Sequence, residues 1–381
     1  MTSVAVIGGG IVGASAAFHL AASGVATTLV DNAAIGRATS AGAGIIAPGT
    51  STRALPPFYE LAKPAVSYYP VLVQKLAEVG VENSGYEVCG KLIVADTEEK
   101  AAALPARLEM IRGRKAEGMP NIGEISEITS DEARELLPTL GHVYAAAHLS
   151  EAGRVDGATM RDALTRGAEE HGARNLHGEA KLVLAGDKVV AIEISDVRIS
   201  GDAVVVANGA WINSVLAPTN FQLAINPQKG QIIHIEMPDT DTSAWPILDW
   251  GASQYQLSFG PNRVVCGATR EFNSGYDTRV TPAGVNEILN EQLRLTPGIA
   301  NGTIAEVRVG LRPYSDDGVP FIGAVPGFSN VIIGSGHGPS GLQLGPYSGL
   351  LAAELAQGKQ PAIDLTNFRP DRPIKSLEIT E

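Results

Sequence analysis

The chain is poor in cysteine, in positive charge and in long apolar runs. Its 381 residues include two cysteines, Cys89 and Cys266, too few and too far apart for a disulfide framework or a cysteine metal site. This usage predicts a reducing compartment, hence the cytoplasm. With 29 basic against 41 acidic residues the net charge is −12, which argues against nucleic acid and anionic membranes as partners. No apolar run reaches the roughly 18 residues of a membrane span.

Metal-ligand spacing is also missing. Five histidines are scattered without it, so no metal site is predicted: His142, His148, His171, His177 and His234. What the chain has in quantity is glycine, 43 residues, within a composition that is 44% hydrophobic and 18% charged. That composition is typical of a folded globular protein, and the length predicts two domains.

A strand–helix–strand unit opens the chain. Apolar Val4–Ile7 leads into G-x-G-x-x-G at residues 8–13, an apolar helix follows, and a second strand ends at Asp31. Gly8 permits a tight turn, Gly10 lets the backbone approach a pyrophosphate, and Gly13 lets the helix lie close to the strand. An acid 18 residues beyond Gly13 suits ribose hydroxyls. The unit predicts a dinucleotide site, although the glycines do not decide which dinucleotide.

The segment after Asp31 is built of small residues. Residues 35–44 cannot pack a core alone, but they suit a backbone that runs beside a flat ligand; a flexible loop is the alternative. Together, the unit and this segment predict a first group of cofactor-binding residues: Gly8, Gly10, Ile11, Val12, Gly13, Asp31, Asn32, Arg37, Thr39, Ser40, Gly42, Ala43, Gly44 and Ile46.

Hydrophobic periodicity and capping signals predict the remaining elements. Helices are expected at 56–79 (interrupted by Pro64 and Pro70), 97–112, 130 to before Pro138, 157–171, 282–295 and 341–357. Strands are expected at 85–94, in a hairpin over 180–199, at 202–211, 231–236, 255–259 and 263–268, and in the returning stretches 304–310, 321–323 and 331–333. The fold class is α/β, with a strand-rich α+β second domain.

Four segments resemble the FAD-dependent D-amino acid oxidase, glycine oxidase and sarcosine oxidase superfamily. They are Val4–Asp31, Arg37–Pro48, Asp202–Trp211 and Gly310–Pro346. The motifs are most similar to those of glycine oxidases: Gly310-Leu311-Arg312-Pro313, the run 317–323, and Gly336-His337-Gly338 with Gly341. The resemblance implies a Rossmann-like FAD-binding domain from residues 1–85, 145–222 and 303–381. A mixed or antiparallel sheet over 86–144 and 223–302 would bind substrate.

The resemblance also implies the cofactor and the reaction. FAD would bind non-covalently, because no cysteine stands near Gly310-Leu311 where some relatives attach it. Hydride would pass from the carbon beside an amine nitrogen to flavin N5, the imine would hydrolyse, and O2 would become H2O2. A second group of cofactor-binding residues is implied: Asn208, Gly209, Trp211, Arg312, Gly336, His337, Gly338, Pro339, Ser340, Gly341 and Leu342.

Three residues are the candidate catalytic group. Arg312, in a loop, matches the family arginine that binds the substrate carboxylate; a surface arginine is the alternative. Tyr255 matches an active-site tyrosine of glycine oxidases, or is a core tyrosine. Arg270 falls where relatives contact substrate, and a second arginine would suit a second carboxylate; an exposed strand-end arginine is the alternative.

Two departures from relatives leave the specificity and the electron acceptor open. Glycine oxidases can carry an arginine where this chain has Pro339-Ser340, and the lysine that promotes oxygen reaction in sarcosine oxidases is absent near Cys266. An oxidase of an N-substituted or glycine-like amino acid leads, ahead of a D-amino acid oxidase. A dehydrogenase with another acceptor, a non-catalytic FAD sensor and an NAD-dependent enzyme are further alternatives. The partner is a small amino acid or amine, and a homo-oligomer is possible.

Overall fold

The computed structural model describes residues 3–251 and 254–374. Its helices are α1 (Ile11–Ala22), α2 (Pro56–Ala77), α3 (Glu98–Ala116), α4 (Ser130–Leu136), α5 (Gly157–Glu170), α6 (Ile212–Leu216), α7 (Pro282–Leu295) and α8 (Gly341–Ala356). Its strands are β1 (Ser3–Ile7), β2 (Ala26–Asp31), β3 (Ile45–Ile46), β4 (Tyr86–Val88), β5 (Lys91–Ala95), β6 (Ile125–Ile128), β7 (Ala145–Leu149), β8 (Gly153–Val155), β9 (Arg174–His177), β10 (Ala180–Ala185), β11 (Lys188–Ile194), β12 (Val197–Ser200), β13 (Ala203–Val206), β14 (Ile225–Glu236), β15 (Ile247–Asp249), β16 (Tyr255–Phe259), β17 (Arg263–Gly267), β18 (Thr303–Ser315), β19 (Phe321–Val325) and β20 (Phe328–Ser335).

Local capping explains where several helices begin. Thr97 accepts a hydrogen bond from the backbone N–H of Lys100 at the start of α3, and Asp156 does the same for Thr159 in α5. Thr129 and Glu132 form a capping box before α4. The predicted helices at 97–112, 130 to before Pro138, 157–171, 282–295 and 341–357 are confirmed within a few residues.

Helix α2 corrects one expectation. Pro64 and Pro70 lie inside it, yet the helix runs unbroken from Pro56 to Ala77. An internal proline removes one backbone hydrogen bond, but α2 packs against α8 through buried side chains that include Leu61. Tertiary packing therefore outweighs the local penalty at both prolines.

A six-stranded sheet carries the glycine-rich unit. Its order is β19-β20-β13-β1-β2-β9, and all neighbours are parallel except β19 and β20. Val4 and Val6 pack into the core under α1, α5 and α8, while Ala5 and Ile7 pack toward the three-stranded sheet β10-β11-β12 on the other face. This arrangement confirms the α/β class and the Rossmann-like first sheet.

The second large sheet has eight strands. Its order is β18-β14-β17-β16-β15-β5-β7-β6, antiparallel except for the pair β15 and β5. Leu104 and Leu108 of α3 pack on one face with Ile93, while Ile288 of α7 packs on the other with Ile233. The mixed, mainly antiparallel character of this sheet agrees with the expectation for the strand-rich part.

Strand pairing differs from the expectations at three places. Residues 85–94 form two strands rather than one, because Gly90 has φ of +74° and β4 joins the small sheet β3-β8-β4. Ala145–Leu149 and Thr303–Ser315 lie in the eight-stranded sheet, although the proposed boundaries assign them to the FAD-binding domain. The division into two domains stays a prediction. Within the described residues, no helix is long and apolar enough to cross a membrane.

Candidate active site

A deep cleft lies between the two large sheets. Most sequence-predicted residues line it: Gly8, Gly10, Ile11, Val12, Asp31, Asn32, Arg37, Thr39, Gly42, Ala43, Gly44, Asn208, Gly209, Trp211, Arg312, His337, Gly338, Pro339, Gly341 and Leu342, together with Tyr255 and Arg270. The cleft therefore begins at the glycine turn of the first sheet and ends among side chains of the second. An elongated dinucleotide and a small substrate would lie end to end in such a space.

The glycine turn shows why its residues are small. Gly8 has φ of +104°, and a Cβ there would come within 2.6 Å of the Asn208 backbone. A Cβ on Gly13 would overlap the carbonyl oxygen of Gly8. Helix α1 begins at Ile11 after Gly10, which supplies no side-chain cap. The Ile11 N–H donates to Thr39 Oγ1 at 3.0 Å, and the other N–H groups of the first turn have no side-chain cap, which suits anion binding.

Asp31 stands at the end of β2 with a partner of its own. Its Oδ2 accepts a hydrogen bond from Arg37 Nη1 at 2.7 Å. Gly9, which the spacing did not single out, is needed as well, since its Cβ would lie 2.8 Å from the Asp31 Cβ. The arginine fixes the carboxylate at the cleft wall.

Five predicted cofactor residues do not line the cleft. Gly13 packs under Gly8, and Ile46 is in the core. Ser40 Oγ accepts a hydrogen bond from Arg161 Nη1 at 3.0 Å, and Ser340 Oγ accepts one from Arg53 Nη1 at 2.8 Å. Gly336 packs on Phe321. These five residues support the cleft wall but do not line it.

Other lining residues escaped the sequence analysis. They are mainly Gly178, Glu179, Ala180, Ser214, Val215, Gly230, Ala268, Gly334, Ser335 and Gln343. Residues 178–180 reach the cleft because β9 pairs with β2, and this pairing leaves no local signal. The local hint in the sequence is the glycine at position 178, where the chain turns with a φ of +154°.

Arg312 lies in strand β18, not in a loop as expected. The pairing of β14 with β18 places it opposite Gln228, whose Oε1 accepts from Arg312 Nη1 at 3.2 Å; the carbonyl of Thr269 accepts at 3.1 Å. Burial lowers the pKa of this guanidinium, the Tyr255 phenol opposes the shift, and Arg270 adds to it. Among the described residues no carboxylate pairs with it. It is a cation positioned by neutral groups.

Tyr255 and Arg270 line the same cleft as Arg312. Tyr255 opens β16 opposite Gly267, where a Cβ would come 3.1 Å from the phenol oxygen; burial raises the pKa of that phenol. Arg270 follows the end of β17 at Gly267 and is exposed, but it lines the cleft. Its guanidinium has no ion pair within the described ranges.

His337 is buried before α8. Its Nε2 lies 2.9 Å from Ser348 Oγ, and burial lowers its pKa to about 4. The imidazole is therefore neutral at pH 7. The N-terminus of α8, which begins at Gly341 without a side-chain cap, adds a partial positive charge at this end of the cleft.

The cleft suits a large nucleotide cofactor on its own chemistry. Asn208 Oδ1 is buried, and no described residue hydrogen-bonds to it. The glycine turn and two helix N-termini whose N-cap residues make no side-chain hydrogen bond supply backbone N–H donors. Neither Cys89 nor Cys266 lines the cleft, so no thiol stands where a covalent flavin bond would form.

Comparison with known proteins decides the family. The sequence profile described as FAD dependent oxidoreductase matches residues 3–355. The chain belongs to this family. The flavoprotein is 37% identical to the uncharacterized oxidoreductase YurR of Bacillus subtilis over 97% of this chain and 99% of that one. It is 30% identical to a glycine oxidase of Pseudomonas aeruginosa over 96% and 98% of the two chains.

A solved structure gives a further likeness. The iminodiacetate oxidase of Chelativorans sp. BNC1 superposes with a TM-score of 0.92 at 36% identity, covering 96% of this flavoprotein and 98% of that chain. The expected superfamily, the fold and an FAD-dependent amino acid or amine oxidase are thereby confirmed.

Proposed function

We propose that this flavoprotein oxidises the C–N bond of an N-carboxymethyl amino acid, a secondary amine with two carboxylates such as iminodiacetate. The observation that carries the proposal is the pair Arg312 and Arg270. Both line the far end of the cleft, and neither has a carboxylate partner among the described residues. In a chain with net charge −12, two such cations at one site favour an acidic ligand. The likeness to an iminodiacetate oxidase supports the same substrate class.

The cofactor would be held by the first sheet. Gly8, Gly10 and the start of α1 would receive the pyrophosphate, and Asp31 the ribose. The loop before α8 would face the flavin ring. Bound FAD would supply the acceptor for one hydride, which carries the two electrons of the oxidation.

The remaining steps belong to side chains of the second sheet. Arg312 binds one substrate carboxylate through its planar guanidinium, and the Tyr255 phenol donates a hydrogen bond to the same group. Arg270 takes the second carboxylate. The substrate loses hydrogen from its C–H and N–H bonds and becomes an imine, which water converts to glyoxylate and glycine when the substrate is iminodiacetate. O2 is the proposed electron acceptor, reduced to H2O2.

One substrate screen tests the proposal. The purified flavoprotein is mixed anaerobically with iminodiacetate, sarcosine, glycine or D-alanine, and flavin bleaching near 450 nm is followed. We expect iminodiacetate to reduce the flavin fastest. Peroxide release in air then separates an oxidase from a dehydrogenase that needs a dye. Faster reduction by D-alanine than by iminodiacetate would refute the proposed substrate.

The variant Arg270→Met tests whether Arg270 binds the second carboxylate of the substrate. We expect kcat/KM for iminodiacetate to fall roughly 10- to 100-fold, as for loss of one charge-assisted contact, while sarcosine turnover changes much less. Equal effects on both substrates would remove Arg270 from the second carboxylate. The cytoplasmic location and an assembly of several copies stay predictions.

A further inference from the structure

Arg53 is an arginine that no motif explains. It lies in the irregular segment between the short turn Pro48–Thr50 and α2. Its Nη1 donates to Ser340 Oγ at 2.8 Å, and its guanidinium lies 4.9 Å from the ring centroid of Phe58. Within residues 3–251 and 254–374 no carboxylate forms an ion pair with it. A partly buried cation is therefore held by neutral neighbours alone.

The backbone around Arg53 is anchored. The Tyr59 hydroxyl donates to the carbonyl of Arg53 at 2.9 Å and to that of Ser51 at 3.2 Å. Arg114 Nη1 donates to the carbonyls of Gly49, at 3.0 Å, and Ser51. A long side chain on an anchored backbone loses less freedom when it binds a ligand.

The contact with Ser340 brings Arg53 to the wall of the cleft. Ser340 stands between Pro339 and Gly341, which both line the cleft. Neither Arg53 nor Ser340 lines the cleft itself, so the guanidinium lies one residue beyond the lining. The sequence itself supplies no arginine at Pro339-Ser340, so the cation at this loop comes from another part of the chain.

A chain of contacts joins this loop to Arg270. His337 forms a backbone bridge with Tyr314. The Tyr314 ring meets Phe272 edge-on, with 5.5 Å between ring centroids, and Phe272 lies two residues beyond Arg270. Burial lowers the pKa of Arg53, and the charge of Arg270 lowers it further, as it also does for Arg312.

We infer that Arg53 and Arg270 together form the subsite for the second acidic group of the substrate. The inference rests on the proposed function and deepens it, because it makes Arg53 a specificity-determining residue for diacids. Two like charges at one place repel each other, and an anion bound between them relieves the repulsion. Arg312 with Tyr255 keeps the first carboxylate.

Equilibrium binding tests the subsite without turnover. The probes are thiodiacetate, in which sulfur replaces the amine of iminodiacetate, and (methylthio)acetate, its one-carboxylate counterpart. Each is titrated into the FAD-loaded protein while the flavin absorbance is followed. In Arg53→Met, we expect thiodiacetate to bind roughly 10- to 100-fold more weakly, with (methylthio)acetate changed less than about threefold. Arg53→Lys should restore part of the thiodiacetate affinity.

Arg198→Met is the matched control, because it removes the same charge from the edge strand β12. We expect it to leave both affinities unchanged. If Arg53→Met does not retain flavin, Ser340→Ala replaces it and should weaken thiodiacetate selectively. Equal weakening of both probes, or unchanged thiodiacetate binding, overturns the inference. The proposed function fails on a different result, namely wild-type protein that binds thiodiacetate selectively but is never reduced by iminodiacetate.

Discussion

The guanidinium of Arg312 lies flat over the backbone of Gly230. Strands β14 and β18 pair Gly230 with Gly310, and a Cβ on Gly230 would overlap the guanidinium atoms. Gly230 does not have a positive φ, so glycine is required here by space rather than by backbone conformation. A methyl group at this position would displace the cation without unfolding the sheet.

Removing or displacing this cation should lower kcat/KM. We expect Arg312→Ala to lower kcat/KM about 100- to 1,000-fold, the loss of a two-bond carboxylate contact, with flavin content unchanged. Gly230→Ala should cost roughly 10-fold or more by moving the same group. Steady-state kinetics and the absorbance near 450 nm measure both effects. In an Arg312→Ala background, Gly230→Ala should cost nothing further; an additional loss there would assign Gly230 another role.

Single residues show where sequence reasoning reaches its limit. Arg312 and Tyr255 were found through motifs that resemble those of relatives, and the structure brings both residues to the cleft. Arg53 was not found, because its partner Ser340 is 287 positions away. A contact formed only by the folding of distant segments leaves no pattern in either segment.

At the scale of elements, the close contact between α1 and the turn after β1 fixes the position of the helix N-terminus. A Cβ on Gly13 would overlap the carbonyl oxygen of Gly8, which belongs to the rigid backbone turn. The helix would have to move away from the turn, and its open N-terminus would move with it. A cofactor phosphate would then lose its N–H donors.

Gly13→Ala should therefore yield protein that loses FAD. The ratio of absorbance near 450 nm to that at 280 nm, after gel filtration, measures flavin retention. Gly113→Ala is the control, since Gly113 is also helical but has no atom within 4 Å of an added Cβ. That change should be neutral, or stabilise by up to about 1 kcal/mol. Full flavin retention in Gly13→Ala would contradict this reading of the turn.

Elements were predictable where the signal is local. Thr97 and Asp156 cap the helices that follow them, and the sequence shows both. The single strand expected at 85–94 was wrong because the N–H groups of Cys89 and Gly90 both bind the carbonyl of Ala152, breaking the run. The parallel pair β5 and β15 joins segments whose pairing no local pattern reveals.

At the scale of the molecule, buried histidines couple stability to pH. His19 Nδ1 donates to the carbonyl of Ser15 and its Nε2 accepts from the Tyr68 hydroxyl, each at 2.6 Å. Burial lowers the pKa of His19 from 6.5 to about 4, and the pKa values of His234 and His337 fall to about 4 as well. The unfolded chain therefore takes up protons first as the pH falls. Stability present above pH 6.5 is lost on the way to pH 4.

His19→Gln isolates one of these contributions. At neutral pH the variant should be less stable than the wild type, because the packed imidazole is gone. Between pH 7 and pH 5 the wild type should lose about 2 kcal/mol through His19 alone, so the difference between the two proteins should narrow. Thermal midpoints of the FAD-loaded proteins at both pH values check this. A constant difference would show that His19 does not titrate on unfolding.

The two large sheets are interleaved along the chain. The first sheet takes strands from 3–31, 174–177, 203–206 and 321–335, and the second from 91–149 and 225–315. No cut of the backbone yields a fragment that contains one whole sheet without interrupting the other. No single contiguous segment of this chain therefore carries the substrate-facing sheet as a separate module. A change of substrate preference therefore falls on single positions in separate segments, such as Arg53, Arg270 and Arg312.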